Sequence, residues 1–474
     1  MSIATTAFEA ALERLNAQVL DPPERRPAYD VFGPAPAPLP ALGGVPRAGA
    51  IAAAARALET GETTCVELAE RALARIARDE WTAFVEVCAQ DALSEAHVHD
   101  AELKAGRRRG ALHGIPVSVK DVIDVRGVRT RCGSDAYDVV PVDDADAVEL
   151  WRAAGAVILG KTSTHEFALG VTSPQARNPH DATRIPGGSS GGSAIAVATG
   201  MGVASLGTDT RASIRVPAAL CGVVGLKPTY GTISTRGVVP LSWTMDHVAV
   251  MAGSAEDAAI ALDALRPETT AIASAAGGRV SHLRVGLAGA AWEGAEAAVE
   301  SAVGAQIDRL RALVASVRET DRPTAADFGG ANAMGLLVSR CEAATFHRAR
   351  GLDRSLYWAE VRDQLDAADG VLATDYIDAQ RYRAALREEM LAVLREHDVL
   401  AMPTAPVLAP PVERADEYLT ILSRNAILWS FVGFPAISVP CPTDGLPVGL
   451  QLVAGPGGEA LLIALATALT KGDA

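Results

Sequence analysis

The sequence predicts an α/β fold in which helices cover both faces of a large mixed, mostly parallel sheet. Two observations lead to this class. Short apolar runs alternate with longer segments of helical period, and glycine-rich turns separate them. The runs are apolar at nearly every position, which is typical of strands that are buried on both faces. Strands that alternate with helices need crossover connections, and such connections favour parallel pairing.

The chain divides into an N-terminal arm and a main domain. Residues 1–48 are expected to form a short amphipathic helix and then a proline-rich strap over the surface. The main domain, 49–474, begins with two helices between positions 51 and 76 that meet at Gly61. A section at about 296–397 is rich in Ala, Arg and Glu and helical in period, so we expect helices there, close to the functional site.

The strands of the main domain are expected where short apolar runs lie between turn residues. They are 117–119, 157–159, 203–206, 399–402, 436–439 and 448–453. Helices are expected between the first three strands, at 145–154 and 193–200. These strands and helices form the crossover units of the predicted sheet.

Composition and charge disfavour several functional classes. The 474 residues include 43 basic and 57 acidic side chains, and the net charge of −14 disfavours a nucleic-acid or anionic-membrane partner. No apolar run is long enough for a membrane span, and no signal-peptide core opens the chain, so we expect a cytoplasmic protein. The six cysteines stand singly, which predicts reduced thiols rather than a zinc site or a disulfide framework.

Two short motifs match known site patterns with weak support. Residues 155–162 fit the phosphate-loop pattern G-x-x-x-x-G-K-[ST], but the four middle residues, Ala-Val-Ile-Leu, favour a strand over the required turn. We therefore expect Lys161 to be structural or on the surface. Residues 187–191 fit the G-x-S-x-G elbow of α/β-hydrolases, which needs a later histidine. The later candidates are His247, His282, His347 and His397. The polar stretch around His282 and the Arg- and Glu-rich helical segments of His347 and His397 predict exposed side chains.

A stronger constellation spans three segments. They are a buried strand that ends in Lys120 (114–121), a glycine-rich loop with Ser189 and Ser190 (186–193), and a segment that contains Ser213 (207–217). A serine hydroxyl is a poor nucleophile and needs a base within hydrogen-bond reach. A lysine that is held neutral in a dry pocket can be that base, and a second serine can relay the proton. The surrounding glycines permit unusual backbone geometry, including a cis peptide.

These segments closely resemble the amidase signature family of serine hydrolases. Further motifs of that family lie at 222–231, 402–404, 433–436 and 445–451, so the resemblance runs from residue 51 to residue 469. It implies the family's fold, with Ser213 as the nucleophile, Ser189 as the bridging cis-serine and Lys120 as the base. It also implies an oxyanion hole built from the backbone N–H groups of Thr210, Arg211, Ala212 and Ser213. It implies no metal and no organic cofactor.

The chain departs from the family pattern at that turn. The family has Gly-Gly immediately before the nucleophile, whereas this chain has Arg211–Ala212. The backbone donors survive the replacement if both residues adopt ordinary angles, because a positive φ at a non-glycine residue costs about 1–2 kcal/mol. Asp209 and Arg215 are expected to pair and to hold the turn, and Ser190 is expected to be a hydrogen-bonding neighbour of the triad.

The predicted activity is hydrolysis of an amide-type C–N bond, in an amide or a carbamate (urethane), through an acyl-enzyme on Ser213. The predicted partner is a small-molecule substrate, and the sequence is compatible with a homodimer. Two alternatives stay open. One is a glutamine-hydrolysing amidotransferase subunit that passes ammonia to a partner protein. The other is a non-catalytic binding protein in which Arg211–Ala212 marks a decayed oxyanion hole.

Overall fold

The computed structural model describes residues 49–266 and 272–470, so the expected N-terminal helix and strap at 1–48 lie outside the described residues. Within these ranges eleven strands form one sheet. The strands are β1 (Phe84–Val87), β2 (Pro116–Lys120), β3 (Val157–Thr162), β4 (Ala204–Asp209), β5 (Val224–Lys227), β6 (His247–Ala252), β7 (Arg284–Ala288), β8 (Ser316–Thr320), β9 (Val399–Pro403), β10 (Ala436–Cys441) and β11 (Val448–Ala454). The α-helices are α1 (Ala50–Thr60), α2 (Cys65–Ile76), α3 (Ala89–Lys104), α4 (Asp146–Ala153), α5 (Gly191–Ala198), α6 (Arg215–Cys221), α7 (Ala255–Asp263), α8 (Ala297–Leu313), α9 (Ala325–Arg350), α10 (Ala359–Ala368), α11 (Ala373–Glu396), α12 (Leu419–Phe431) and α13 (Glu459–Thr470).

The strand order across the sheet is β1-β3-β2-β4-β6-β5-β10-β11-β9-β7-β8. The α/β class and the large mixed sheet are confirmed. Parallel pairing is less frequent than expected. Of the pairs among the described strands, β2–β3, β2–β4, β7–β8 and β7–β9 are parallel and the other six are antiparallel. A strand that is buried on both faces is apolar throughout whichever way its neighbours run, so its sequence does not reveal its direction.

The first helices of the main domain follow the predicted pattern. α1 ends at Gly61, whose φ of 72° is readily adopted by glycine. α2 begins with a capping box in which Thr64 and Glu67 each bond to the other's backbone N–H. Each predicted strand, and each helix predicted between the first three strands, overlaps an observed element. These predictions are therefore confirmed.

The section at 296–397 is helical only in part. It contains α8, α9, α10 and α11, but β8 interrupts it and pairs with β7 at the edge of the sheet. β8 has the sequence Ser-Val-Arg-Glu-Thr and is partly or fully exposed along its length. The expectation of helices throughout is therefore wrong at 316–320. Polar side chains are typical of an edge strand, and they remove the apolar run by which a buried strand is recognised.

Two parallel neighbours position the candidate site. β2 and β4 run side by side in the same direction, so their carboxyl ends lie at the same edge of the sheet. Lys120 is the last residue of β2, and Asp209 is the last residue of β4. Both residues are fully buried. Separately, the described part of the chain contains no helix that is both long and apolar enough to cross a bilayer.

Candidate active site

Lys120 is a buried amine with hydroxyl partners. Its Nζ donates to Ser189 Oγ at 2.7 Å and to Thr208 Oγ1 at 2.8 Å. Burial lowers the pKa of Lys120 to about 7, and the carboxylates of Asp209 and Asp246, which act at longer range, only partly oppose this effect. Near neutral pH a large fraction of this side chain is therefore an uncharged amine, which can accept a proton.

The backbone holds Ser189 in place. The peptide bond between Gly188 and Ser189 is cis. The Ser189 carbonyl accepts hydrogen bonds from the His165 N–H at 3.1 Å and from the Ser173 hydroxyl at 3.1 Å. A Cβ at Gly188 would lie 2.9 Å from the backbone N of Ser173, and one at Gly192 would lie 2.4 Å from a backbone carbonyl oxygen. The loop that carries Ser189 therefore has no room for side chains at these two glycines.

Ser213 lies in the turn after β4 and is joined to the serine loop through its backbone. Its carbonyl accepts the Ser190 N–H at 3.2 Å, and Ser190 Oγ donates to the Thr208 carbonyl at 3.2 Å. The Ser213 hydroxyl makes no hydrogen bond to any residue in the described ranges. The structure thus brings the side chains of Lys120 and Ser189 into contact. It places Ser213 next to the loop that carries Ser189.

The turn at 210–213 presents backbone donors. Neither Arg211 nor Ala212 has a positive φ, so the replacement of Gly-Gly requires no left-handed backbone angle. The N–H groups of 211–213 donate to no acceptor within the part of the chain that the structure describes. The Thr210 hydroxyl donates to Asp246 Oδ1 at 2.5 Å, which fastens the turn to the loop before β6. Unpartnered N–H groups on one turn are the elements from which an oxyanion hole is built.

The expected ion pair between Asp209 and Arg215 is present, and both side chains are fully buried. The guanidinium donates to both carboxylate oxygens, at 2.9 and 3.0 Å, and to the Arg211 carbonyl at 3.1 Å. Asp209 also accepts the Ile214 N–H at 3.2 Å. Burial acts to raise the pKa of Asp209, but the attraction of Arg215 outweighs it and holds the pKa below its ordinary value. The ion pair therefore fixes both ends of the turn, because Asp209 precedes it and Arg215 follows it.

Similarity to known proteins identifies the family of this chain. The model of a family described as Amidase matches residues 67–463. The chain belongs to the amidase family. Among its relatives, a glutamyl-tRNA(Gln) amidotransferase subunit from Roseiflexus sp. (strain RS-1) is 37% identical, over 88% of this chain and 95% of its own. An amidase of Pseudomonas putida is 36% identical, over 84% of this chain and 90% of its own. A crystal structure of an amidase is 36% identical with a TM-score of 0.81, over 89% of this chain and 99% of its own.

Several residues around the site of this amidase-family member were not assigned a role from the sequence. Thr208 accepts a hydrogen bond from the buried lysine, His165 and Ser173 bind the Ser189 carbonyl, and Asp246 binds the turn. Thr208 lies within a family motif on β4, so its position next to the site could have been inferred. The other three come from separate segments, and no local pattern marks them.

The structure also shows what the segments with weakly supported motifs form in this family member. The phosphate-loop match forms β3, as expected, and Lys161 is buried and paired with Asp121 at 3.0 Å. His347 was expected to be exposed, and that expectation is wrong. It is 2% exposed, and its Nδ1 lies 2.8 Å from the Tyr357 hydroxyl, because α9 buries side chains on several faces despite its charged residues. All six cysteines are free thiols, as expected.

Proposed function

We propose that this chain hydrolyses an amide-type C–N bond of a small molecule through an acyl-enzyme on Ser213. Membership of the amidase family supports amide hydrolysis. The proposal depends above all on the 2.7 Å contact between the buried Nζ of Lys120 and Ser189 Oγ. A lysine whose pKa is about 7 can act as a general base near neutral pH, which an ordinary lysine cannot.

The proton path runs through the three side chains. Ser213 Oγ attacks the carbonyl carbon, its proton passes to Ser189 Oγ, and the Ser189 proton passes to neutral Lys120. In the neutral amine one N–H stays on Thr208 Oγ1 at 2.8 Å. The lone pair of Nζ then accepts the Ser189 hydroxyl, which reverses the direction of the hydrogen bond that the charged amine donates to Ser189. The hydrogen bond between the two serine hydroxyls forms in the substrate complex, where catalytic hydrogen bonds commonly tighten.

The N–H groups of Thr210, Arg211, Ala212 and Ser213 stabilise the tetrahedral oxyanion. In this type of site the loss of one donor raises the barrier by about 3–4 kcal/mol. Lys120 then returns its proton through Ser189 to the leaving amine, the C–N bond breaks, and the acyl group stays on Ser213 as an ester. Water attacks this ester, its proton travels to Lys120, and the same proton returns to Ser213 Oγ as the acid leaves.

Serine labelling combined with a substrate panel tests this proposal. A fluorophosphonate should label Ser213, as mapped by mass spectrometry, and Ser213→Ala should lose both the label and the turnover of its substrates. The panel contains anilides, fatty amides and carbamates, so it also decides whether urethane bonds are cleaved. Ser193→Ala, in the first turn of α5, is the control and should keep the label. Label on another residue, or turnover by Ser213→Ala with an unchanged circular dichroism spectrum, would contradict the proposal.

Glutamine hydrolysis on behalf of a partner protein is a second candidate. Its support is the name of the Roseiflexus relative, which is 37% identical to this chain. Ammonia release from glutamine that occurs only when a second protein is added would favour it. Turnover of small amides by the purified chain alone would favour the main proposal, because an amidotransferase subunit depends on its partner.

A further inference from the structure

Two arginines near the proposed oxyanion turn have buried nitrogen atoms without partners. Arg211 lies in the turn itself, two residues before Ser213, and Arg340 lies in α9. In each side chain Nε is shielded from solvent and bonds to no residue at 49–266 or 272–470. Arg215, only four residues after Arg211, differs sharply, because its guanidinium donates to Asp209 and to several other acceptors.

A hydrogen-bonded loop connects the segments that carry the two arginines. Asp246 accepts the Thr210 hydroxyl and also the Ser242 N–H, at 3.0 Å. The Ser242 hydroxyl donates at 2.7 Å to Glu342, which lies two residues after Arg340 in α9. Glu342 also accepts the Thr244 hydroxyl at 2.7 Å. α9 is therefore fastened to the same loop that holds the turn, and this arrangement fixes the positions of both arginine segments.

Among the residues that the structure describes, no acid forms an ion pair with Arg211 or Arg340. Burial, together with the nearby positive charge of Arg340, lowers the pKa of Arg211 to about 10. Burial also lowers the pKa of Arg340. Partly buried cations of like charge destabilise one another, and such side chains are normally paired. An anion that lies between them would compensate both charges, and the guanidinium fork fits the two oxygens of a carboxylate.

We propose that Arg211 and Arg340 bind a carboxylate of the substrate, which makes this protein selective for amides of acidic molecules. This inference rests on the proposed hydrolysis at Ser213 and adds the substrate class to it. Because Arg211 is two residues from the nucleophile, the carboxylate lies a few bonds from the scissile carbonyl. Monoamides of short dicarboxylic acids have this geometry. The inference also gives a role to the arginine that replaces the family's glycine.

A pair of matched substrates tests the carboxylate site. One is the mono-p-nitroanilide of glutaric acid, and the other is its methyl ester; nitroaniline release reports only the C–N bond. Hydrogen bonds to a charged group predict a kcat/KM about ten- to a hundredfold higher for the acid. Arg340→Gln should lower this acid-to-ester ratio about tenfold, mainly through KM. Arg348→Gln, on the same helix with a side chain 67% exposed, is the control and should keep the ratio.

Calorimetry with glutarate gives a second measurement that needs no turnover. The full chain should bind glutarate, and Arg340→Gln should bind it at least about tenfold more weakly. An acid-to-ester ratio near one in the unaltered protein, or the same ratio in Arg340→Gln, would overturn the carboxylate site. Glutarate binding without fluorophosphonate labelling of Ser213 would overturn the proposed hydrolysis but support the site. Labelling of Ser213 without glutarate binding would support the proposed hydrolysis but overturn the carboxylate site.

Discussion

Two fully buried lysines lie on neighbouring parallel strands, and their partners differ. Lys120, at the end of β2, contacts the hydroxyls of Ser189 and Thr208. Lys161, in β3, also donates to a hydroxyl, that of Thr130 at 2.9 Å, but in addition it contacts the carboxylate of Asp121 at 3.0 Å. The comparison teaches that burial alone does not decide what a lysine does. A carboxylate in contact balances a positive charge and builds a structural ion pair, whereas hydroxyls provide a route by which a proton can arrive and leave.

The largest effect is expected when Lys120, the proposed base, is replaced. Lys120→Arg should lower kcat by about 10²–10⁴-fold, nearly as much as Lys120→Ala, because a guanidinium keeps its proton and cannot act as a base. Steady-state kinetics on the best substrate of the panel measures this loss. The control is Lys161→Arg, which keeps a cation beside Asp121 and should retain far more activity. Wild-type rates in Lys120→Arg would place the base elsewhere.

The structural role of Lys161 is tested by replacing its acidic partner, Asp121. Asp121→Asn leaves Lys161 buried without its counter-ion, and removal of one partner from a buried pair typically lowers the free energy of unfolding by about 3–5 kcal/mol. Urea unfolding of the full chain measures the change. Asp138→Asn removes the acid of an exposed pair with Arg129 and should cost less than about 1 kcal/mol. Equal losses in the two variants would show that the buried pair is not structural.

The smallest of the three effects concerns pH. The active form of Lys120 is the neutral amine, and its pKa is about 7. The neutral fraction falls as pH decreases through 7, so kcat/KM should fall about tenfold per pH unit below this value and level off above it. An uncharged amide is the right substrate for this profile, since it does not titrate itself. A flat profile between about pH 5 and pH 9, with chemistry rate-limiting, would argue against lysine as the base.

The sequence predicted six strands in the interior of the sheet, but it missed β5 and β6, which are also buried there, as well as β7 and the edge strands β1 and β8. The strands that end at Lys120 and Asp209 were found from short, largely apolar runs, but such runs do not reveal the direction of the neighbouring strands. The polar edge strand at 316–320 was taken for helix. At the site, Lys120, Ser189 and Ser213 came from family motifs. Distant residues could not be found, because loop contacts such as that of Asp246 with the turn depend on tertiary packing rather than on any local pattern.

The crowding around Ser189 determines where this protein can be redesigned. At Gly188 and Gly192 even a single added carbon would collide with backbone atoms, so randomised libraries there would consist mostly of misfolded variants. α9 is more permissive, because it keeps partly exposed positions around Arg340. Directed evolution toward new amides should therefore diversify that helix and leave the glycine loop untouched.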